Sequence, residues 1–154
     1  MPETIYIVRH AKAGNRHTWA GPDSARPLTT AGTRQADAIA EMLARHPVAR
    51  IVSSPYLRCS QTVAPLGAAL GIPVEVDDGL AEGATQRAIR ALIATTGRGG
   101  LVLCSHGDVI GDLLQRAASE GADLGHPRHI EKGSVWILET RKGRVHRGRY
   151  HLPA

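Results

Sequence analysis

The sequence predicts an α/β fold: a three-layer α/β/α sandwich whose mostly parallel sheet carries an antiparallel hairpin at its C-terminal edge. Two observations lead to this prediction. Short apolar runs typical of buried strands alternate with longer segments whose apolar residues recur at helical spacing. The end of the chain instead has two runs rich in strand-forming residues, separated by a short basic turn, which indicates a hairpin. The length of 154 residues fits a single domain, 1–154.

The first strand is predicted at 4–9, from the run TIYIVR, and a polar loop containing Gly and Pro follows it. A helix is predicted over 30–46. Apolar residues there repeat at i, i+3, i+4 and i+7, Thr29 or Thr30 can cap the start, and Pro47 stops the helix.

The second strand is predicted at 50–53 and the third at 73–76. Between them a helix is expected from Pro55 to about Leu70. Proline is favoured in the first turn of a helix, and Gly71 supplies the residue that ends it.

The second half of the chain continues the alternation. A helix at 84–96 precedes the clearest strand, 101–105, and a helix at 108–119 follows that strand. The predicted hairpin joins strands 134–140 and 145–151. Because the hairpin strands run antiparallel, we expect them at one edge of the sheet.

Composition and charge narrow the function only slightly. A net charge of +5 is compatible with an anionic substrate, but aromatic residues for stacking on nucleic-acid bases are few, so no nucleic-acid partner is expected. The chain has no long uncharged apolar segment and no signal-peptide pattern, which predicts a cytoplasmic protein without a membrane partner. Cys59 and Cys104 lack zinc-type spacing and are expected to be free thiols.

Polar side chains that can take part in catalysis or ligand binding follow each predicted parallel strand. Arg9 and His10 end the first, Arg58 follows the second, Glu82 follows the third and His106 follows the fourth. Because the carboxyl ends of parallel strands meet at one edge of the sheet, we expect these side chains to lie close together.

This combination of residue types suits a phosphoryl group. Arginine forks bind phosphate oxygens in pairs, and a histidine beside arginines is held neutral and can act as a nucleophile. A carboxylate can donate a proton to the leaving group and later take one from water. If arginines neutralise the phosphoryl oxygens, no metal or cofactor is needed.

Five segments, in the right order, resemble the signatures of the histidine phosphatase superfamily, also called the phosphoglycerate mutase-like family. They are Arg9-His10, 27-PLTTAGTRQA-36, 53-SSPYLRCSQT-62, 80-LAEG-83 and 105-SHGDVI-110. The layout is most similar to small bacterial protein-phosphohistidine phosphatases. The resemblance also implies the phosphoglycerate mutase-like α/β/α fold.

Carried over residue by residue, the resemblance implies that His10 is the nucleophile that becomes phosphorylated. Arg9, Arg58 and His106 would bind the phosphoryl group, and Glu82 would be the proton donor. One departure is Ala11, which stands where the family signature has glycine.

Several alternatives stay open. Asp77 or Asp78 could replace Glu82 as the acid. Lys12, Arg16 and Arg26 either select an anionic substrate or are simply solvated loop residues.

Other patterns are given ordinary interpretations. The spacing of His126 and His129 does not predict a metal site, because a proline lies between them and no carboxylate accompanies them. The basic tail 141–151 is interpreted as a solvated edge strand. Neither cysteine has the arginine six residues later that a cysteine-dependent phosphatase requires.

The sequence therefore predicts a metal-independent phosphatase that acts through a phosphohistidine on His10. Its expected substrate is a phosphohistidine protein or a small phosphoester. Two alternatives remain: a sugar-phosphate or nucleotide phosphatase, and a non-catalytic module that binds phosphorylated partners.

Overall fold

A six-stranded sheet between two layers of helices forms the protein in a computed structural model, which describes residues 3–95, 99–126 and 128–154. The strands are β1 (Glu3–Arg9), β2 (Arg50–Ser53), β3 (Val74–Val76), β4 (Leu101–Ser105), β5 (Val135–Arg141) and β6 (Arg144–His151). The helices are α1 (Thr30–Leu43), α2 (Leu57–Leu70), α3 (Gln86–Ala94) and α4 (Gly107–Ser119). The predicted fold class is confirmed.

The strand order is β3-β2-β4-β1-β5-β6. The first four strands in this order are parallel, and β5 and β6 are antiparallel, as predicted. Lys142 and Gly143, with φ of 53° and 76°, connect the hairpin. Positive φ at both turn residues matches the twist of paired strands.

Each face of the sheet has its own hydrophobic core, because successive side chains of a strand point to opposite faces. On one face Ile5 and Ile7 of β1 pack with apolar residues of α3 and α4. On the other face Tyr6 and Val8 pack with apolar residues of α1 and α2. This arrangement buries β1 from both sides and fixes the position of its carboxyl end.

Some predicted helix ends were wrong. The helix expected to start at Pro55 starts at Leu57. Tyr56 is extended, with ψ of 134°, and its backbone N–H donates to the side chain of Ser54 rather than continuing a helix. The end of the predicted helix 84–96 lies outside the described residues.

Within the described residues, no helix is long and apolar enough to cross a membrane.

The helix predicted over 30–46 ends at Leu43, and the backbone from there to His46 forms turns. Its N-cap is Thr29, whose hydroxyl accepts a 3.0 Å hydrogen bond from the backbone N–H of Gly32. The helix predicted to start at Asp108 starts one residue earlier, at Gly107.

The connections place a crevice at the carboxyl ends of β1 and β4. The chain leaves β1 toward α1 on one face, and leaves β4 directly into α4 on the other. Neighbouring strands whose connections diverge to opposite faces leave a cleft at their carboxyl ends, where ligands bind in open α/β sheets.

Candidate active site

The pairing of β1 with β4 brings two histidines together. Arg9 pairs with Ser105 in the parallel register, so the next residues, His10 and His106, emerge side by side. Their ring centroids are 5.4 Å apart, with the rings nearly edge to face. The backbone N–H of His10 also donates to the carbonyl of Ser105, at 3.1 Å. The register of β1 with β4 therefore places both histidines at the centre of the site.

The ring of His10 is neutral and held in one orientation. Its Nδ1 lies 2.8 Å from the carbonyl oxygen of Ala11. Because a carbonyl can only accept, Nδ1 carries the proton and Nε2 keeps its lone pair. Burial lowers the pKa of His10 to about 3, and the positive charges of Arg58 and Arg9 act in the same direction against the opposing Ala11 hydrogen bond. The residue lines a cavity at the crevice.

Arg9 lies against the start of α4. Its Nη1 donates to the carbonyl of Ile130 at 2.6 Å. A Cβ built on Gly107 would lie 3.0 Å from the Arg9 Cζ, so the guanidinium lies against a backbone position that has no side chain. The Arg9 Nε is buried and has no hydrogen-bond partner among the described residues.

Arg58 is 1% exposed and is held by Asp23 from the loop after β1. Its Nη1 donates to the Asp23 backbone carbonyl at 2.9 Å and its Nη2 to the Asp23 carboxylate at 3.2 Å. Its Nη2 is also 3.6 Å from a carboxylate oxygen of Glu82. The Nε is buried without a partner in the described part of the chain. Arg58 is not among the residues that line the cavity.

His106 is oriented by Ser54. The two side chains meet at 2.9 Å, between the serine Oγ and the histidine Nε2. Ser54 Oγ accepts the N–H of Tyr56 at 3.2 Å and can also donate its own hydrogen to Nε2. In the His106 tautomer that accepts this hydrogen, the ring proton lies on Nδ1, a buried atom that has no partner among the residues described.

Glu82 is the one of the three candidate acids that lines the cavity. Its carboxylate lies 3.2 Å from Arg16 and 3.6 Å from Arg58. Asp77 instead caps a 3-10 turn by accepting the Gly79 N–H at 2.7 Å, and Asp78 lies within that turn.

The segment that carries Glu82 is attached to α4. The backbone N–H of Gly83 donates to a carboxylate oxygen of Asp108 at 2.8 Å. The hydroxyl of Ser105 donates to the backbone carbonyl of Leu80 at 2.7 Å. Both bonds tie this segment to the end of β4 and the start of α4, beside His106. No catalytic or binding role for Asp108 was predicted from the sequence.

The cavity has a volume of about 750 Å³ and carries both signs of charge. Arg16 and Arg26 line it, whereas Lys12 does not. Arg26 is buried and bonded to Asp23 at 3.0 Å, so its role is in large part structural. Lys132, which the sequence interpretation missed, also lines the cavity. The residues described contain no group of three or more His, Cys, Asp or Glu placed to hold a metal ion.

Three buried side-chain nitrogens at this site have no hydrogen-bond partner within residues 3–95, 99–126 and 128–154: Arg9 Nε, Arg58 Nε and His106 Nδ1. A buried donor without an acceptor costs roughly 1–3 kcal/mol. An oxyanion could satisfy such donors and balance the arginine charges at the same time. The arrangement is therefore suited to binding a phosphoryl group beside the free Nε2 of His10.

The α/β/α sandwich brings this pair of histidines and the two arginines to the carboxyl edge of its parallel strands. The chain belongs to the histidine phosphatase superfamily (branch 1), whose family model matches residues 5–86. The matched segment contains Arg9, His10, Arg58 and Glu82 and ends before His106. The family predicted from the sequence is confirmed.

Two curated proteins show what the chain is similar to. The 8-oxo-(d)GTP phosphatase of Mycolicibacterium smegmatis is 30% identical over 148 residues, which are 93% of this chain and 46% of that protein. Phosphohistidine phosphatase SixA of Escherichia coli is 37% identical over 71 residues, 45% of this chain and 42% of that protein. The matched segments thus cover less than half the length of either relative.

The fold is also that of a solved structure, the protein histidine phosphatase SixA complexed with tungstate. The TM-score is 0.76 at 22% identity, and the match covers 97% of this chain and 94% of that one. At this level of identity the likeness concerns the fold.

Proposed function

We propose that the chain is a metal-independent phosphatase that works through a phosphohistidine on His10. One observation carries the proposal: the neutral His10 ring, with Nδ1 held by Ala11 and Nε2 unprotonated, lies near Arg9, Arg58 and His106, each of which has a buried nitrogen without a partner in the described part of the chain. A nucleophile with a free lone pair and donors for the oxygens of its target are the two requirements of phosphoryl transfer.

The first step forms a bond between His10 Nε2 and phosphorus and breaks the bond from phosphorus to the leaving group. Arg9, Arg58 and His106 bind the phosphoryl oxygens, and Glu82 donates its proton to the leaving oxygen. In the second step water attacks phosphorus, Glu82 takes a proton from that water, and the phosphorus–nitrogen bond breaks. Inorganic phosphate leaves and His10 is restored. Because the arginines neutralise the phosphoryl charge, EDTA should leave the rate unchanged.

The first test is His10→Ala, assayed with p-nitrophenyl phosphate and with a phosphoramidate. We expect turnover of both substrates to be abolished, since the variant has no nucleophile. His17→Ala is the matched control, because His17 is an exposed histidine of the loop that follows β1. Unchanged turnover in His10→Ala would contradict the mechanism, and equal losses in both variants would indicate a general defect.

The class of substrate is a phosphohistidine protein or a small phosphoester, and Glu82→Gln helps to separate them. An imidazole leaving group demands less from a proton donor than an alkoxide does. If the natural substrate is phosphohistidine, Glu82→Gln should reduce kcat/KM for oxygen esters far more than for phosphohistidine. Equal losses on both substrates would argue against that assignment.

A small phosphorylated metabolite is the second candidate. The cavity of about 750 Å³ lies in the size range of small-molecule sites, and basic side chains at its edge could contact the rest of such a molecule. The similarity to a protein named for action on 8-oxo-(d)GTP points in the same direction. A comparison of kcat/KM for phosphohistidine protein, sugar phosphates and nucleotides distinguishes the two candidates.

A further inference from the structure

Lys132 is an exposed residue in the wall of the cavity. It comes three residues before β5, and it lines the cavity together with Arg9 and His10. The part of the chain that the structure describes offers its ammonium group neither a hydrogen bond nor an ion pair. Arg16 and Arg26, on the opposite loop, do have partners: Arg16 lies 3.2 Å from Glu82, and Arg26 lies 3.0 Å from Asp23.

The loop that carries Lys132 is fixed to the phosphoryl pocket. Arg9 donates to the carbonyl of Ile130 at 2.6 Å, two residues before the lysine. The N–H of Gly133, one residue after it, lies 3.2 Å from the carbonyl of Arg9 and 3.1 Å from that of His10. The two residues that supply the nucleophile and an oxyanion donor therefore also hold the loop. The backbone of Lys132 cannot shift without moving them.

Further bonds hold the same loop from the hairpin side. Trp136 Nε1 donates to the carbonyl of His129 at 2.8 Å, and the N–H of Glu131 donates to Tyr150 Oη at 3.3 Å. With its backbone held in place, a lysine at this position loses less entropy when it binds a ligand than one on a free loop would.

The surroundings of Lys132 are unfavourable for a cation unless an anion is present. Burial lowers the pKa of Lys132, and the charges of Arg9, Arg26, Arg16 and Arg58 lower it further. A cation held among like charges gains when an anion binds beside it. The phosphoryl group that is to be transferred already has Arg9, Arg58 and His106. An ammonium group next to that set is therefore available to a different part of the substrate.

We propose that Lys132 binds a second phosphate group, located on the leaving-group side of the transferred phosphoryl group. On this inference, which rests on the proposed phosphatase function, the site selects small molecules with two phosphates, such as diphosphates or bisphosphates. A lysine ammonium binds phosphate as a point charge and does not demand one fixed geometry. The imidazole that leaves from phosphohistidine carries no such group, so Lys132 gives no advantage with that substrate.

Lys132→Met tests the proposal kinetically, since methionine has similar length and no charge. The substrates are a nucleoside diphosphate, whose leaving group carries a phosphate, and p-nitrophenyl phosphate, whose leaving group does not. We expect kcat/KM for the diphosphate to fall about tenfold, mainly through KM, as for a lost charge-assisted hydrogen bond. The value for p-nitrophenyl phosphate should not change. Lys12→Met is the matched control, because Lys12 is exposed and lies outside the cavity.

Equal losses on both substrates would overturn the proposal, since Lys132 would then act on the transferred phosphoryl group itself. Unchanged rates on both would overturn it too. Lys132→Arg keeps the charge and should recover most of the preference for the diphosphate.

A binding measurement separates this inference from the proposed function. Calorimetry compares inorganic pyrophosphate with orthophosphate in the His10→Ala background, where phosphohistidine cannot form. Pyrophosphate should bind about tenfold more tightly, and the addition of Lys132→Met should abolish the difference. Equal affinities before that substitution would overturn the role of Lys132, even if the enzyme proved to be a phosphatase. If turnover were absent instead, the proposed function would fail and these affinities would still decide the role of Lys132.

Discussion

The protonation of His10 should be measurable as a difference in stability between pH 7 and pH 5. In the folded protein the pKa of His10 is lowered to about 3. In the unfolded chain a histidine has a pKa of about 6.5. Between these two values the unfolded chain binds a proton that the folded protein does not bind, so stability falls as the pH falls.

The size of the effect follows from the two pKa values. At pH 7 the unfolded histidine is mostly neutral, whereas at pH 5 it is almost fully protonated. The folded His10 ring is neutral at both. Integration over this window gives a loss of about 2 kcal/mol in the free energy of unfolding from this one group.

His10→Gln removes this contribution and keeps a side chain that can donate to the Ala11 carbonyl. Urea unfolding of both proteins, followed by circular dichroism at pH 7 and pH 5, gives the two free energies of unfolding for each. We expect the wild-type protein to lose about 2 kcal/mol more than His10→Gln over this interval. Other titrating groups are common to both proteins and largely cancel in the difference.

His17→Gln is the control for removing a histidine as such, because His17 is exposed. Its pH dependence should follow that of the wild-type protein. Equal losses in wild type and His10→Gln would refute the reasoning, because His10 would then take up its proton at the same pH in the folded and unfolded chains. Burial would then not be what keeps His10 neutral in the folded protein.

Two further predictions concern residues that position the site. Gly107→Ala places a methyl group 3.0 Å from the Arg9 guanidinium, so steady-state assays should show kcat/KM falling about tenfold, while a near-normal melting temperature would show that the fold is intact. Asp108→Ala removes the acceptor for the Gly83 N–H, and kcat for oxygen esters should fall about tenfold as Glu82 loses its support. Asp108→Asn keeps an acceptor oxygen and should recover most of that loss, whereas equal activities of the two Asp108 variants would contradict a positioning role.

The central pair of histidines could be predicted from local patterns. Two apolar runs that are each followed by a histidine predict two buried parallel strands, and parallel strands have their carboxyl ends at one edge of the sheet. This rule does not give the strand order, so the direct pairing of β1 with β4 and the register of Arg9 with Ser105 are known only from the structure. The same rule predicts Arg58 and Glu82 at this edge, and in the structure Arg58 Nη2 lies 3.6 Å from a carboxylate oxygen of Glu82.

Lys132 was missed because that rule considers only the carboxyl ends of strands. The strand β5 is antiparallel to β1, so its amino end lies at the functional edge and the residues just before Val135 reach the cavity. The predicted hairpin indicates how this could have been found. If one hairpin strand pairs antiparallel with the parallel sheet, one of the two loops that flank that strand must lie at the carboxyl edge of the parallel strands. The sequence did not say which strand would pair with β1.

The partners of Arg58 depend on tertiary structure that local patterns do not contain. Asp23 lies 35 residues away along the chain, in a loop without helical or strand periodicity. Burial alone would raise the pKa of Asp23, but the hydrogen bond and charge of Arg26 and the charge of Arg58 outweigh it and keep the pKa below its usual range. An acid held ionised in this way can bind two arginines. The contact between Asp23 and Arg58 forms only when the loop folds over the sheet, so local sequence patterns do not predict it.

Phosphorylation of His10 is the most direct test of the account. The protein is mixed with a labelled phosphodonor substrate for milliseconds, quenched in alkali, digested and analysed by mass spectrometry. We expect a phosphate that is stable to base and labile to acid, located on His10 and absent from His10→Ala. Turnover of the substrate without any such adduct, or an adduct on another residue, would contradict it.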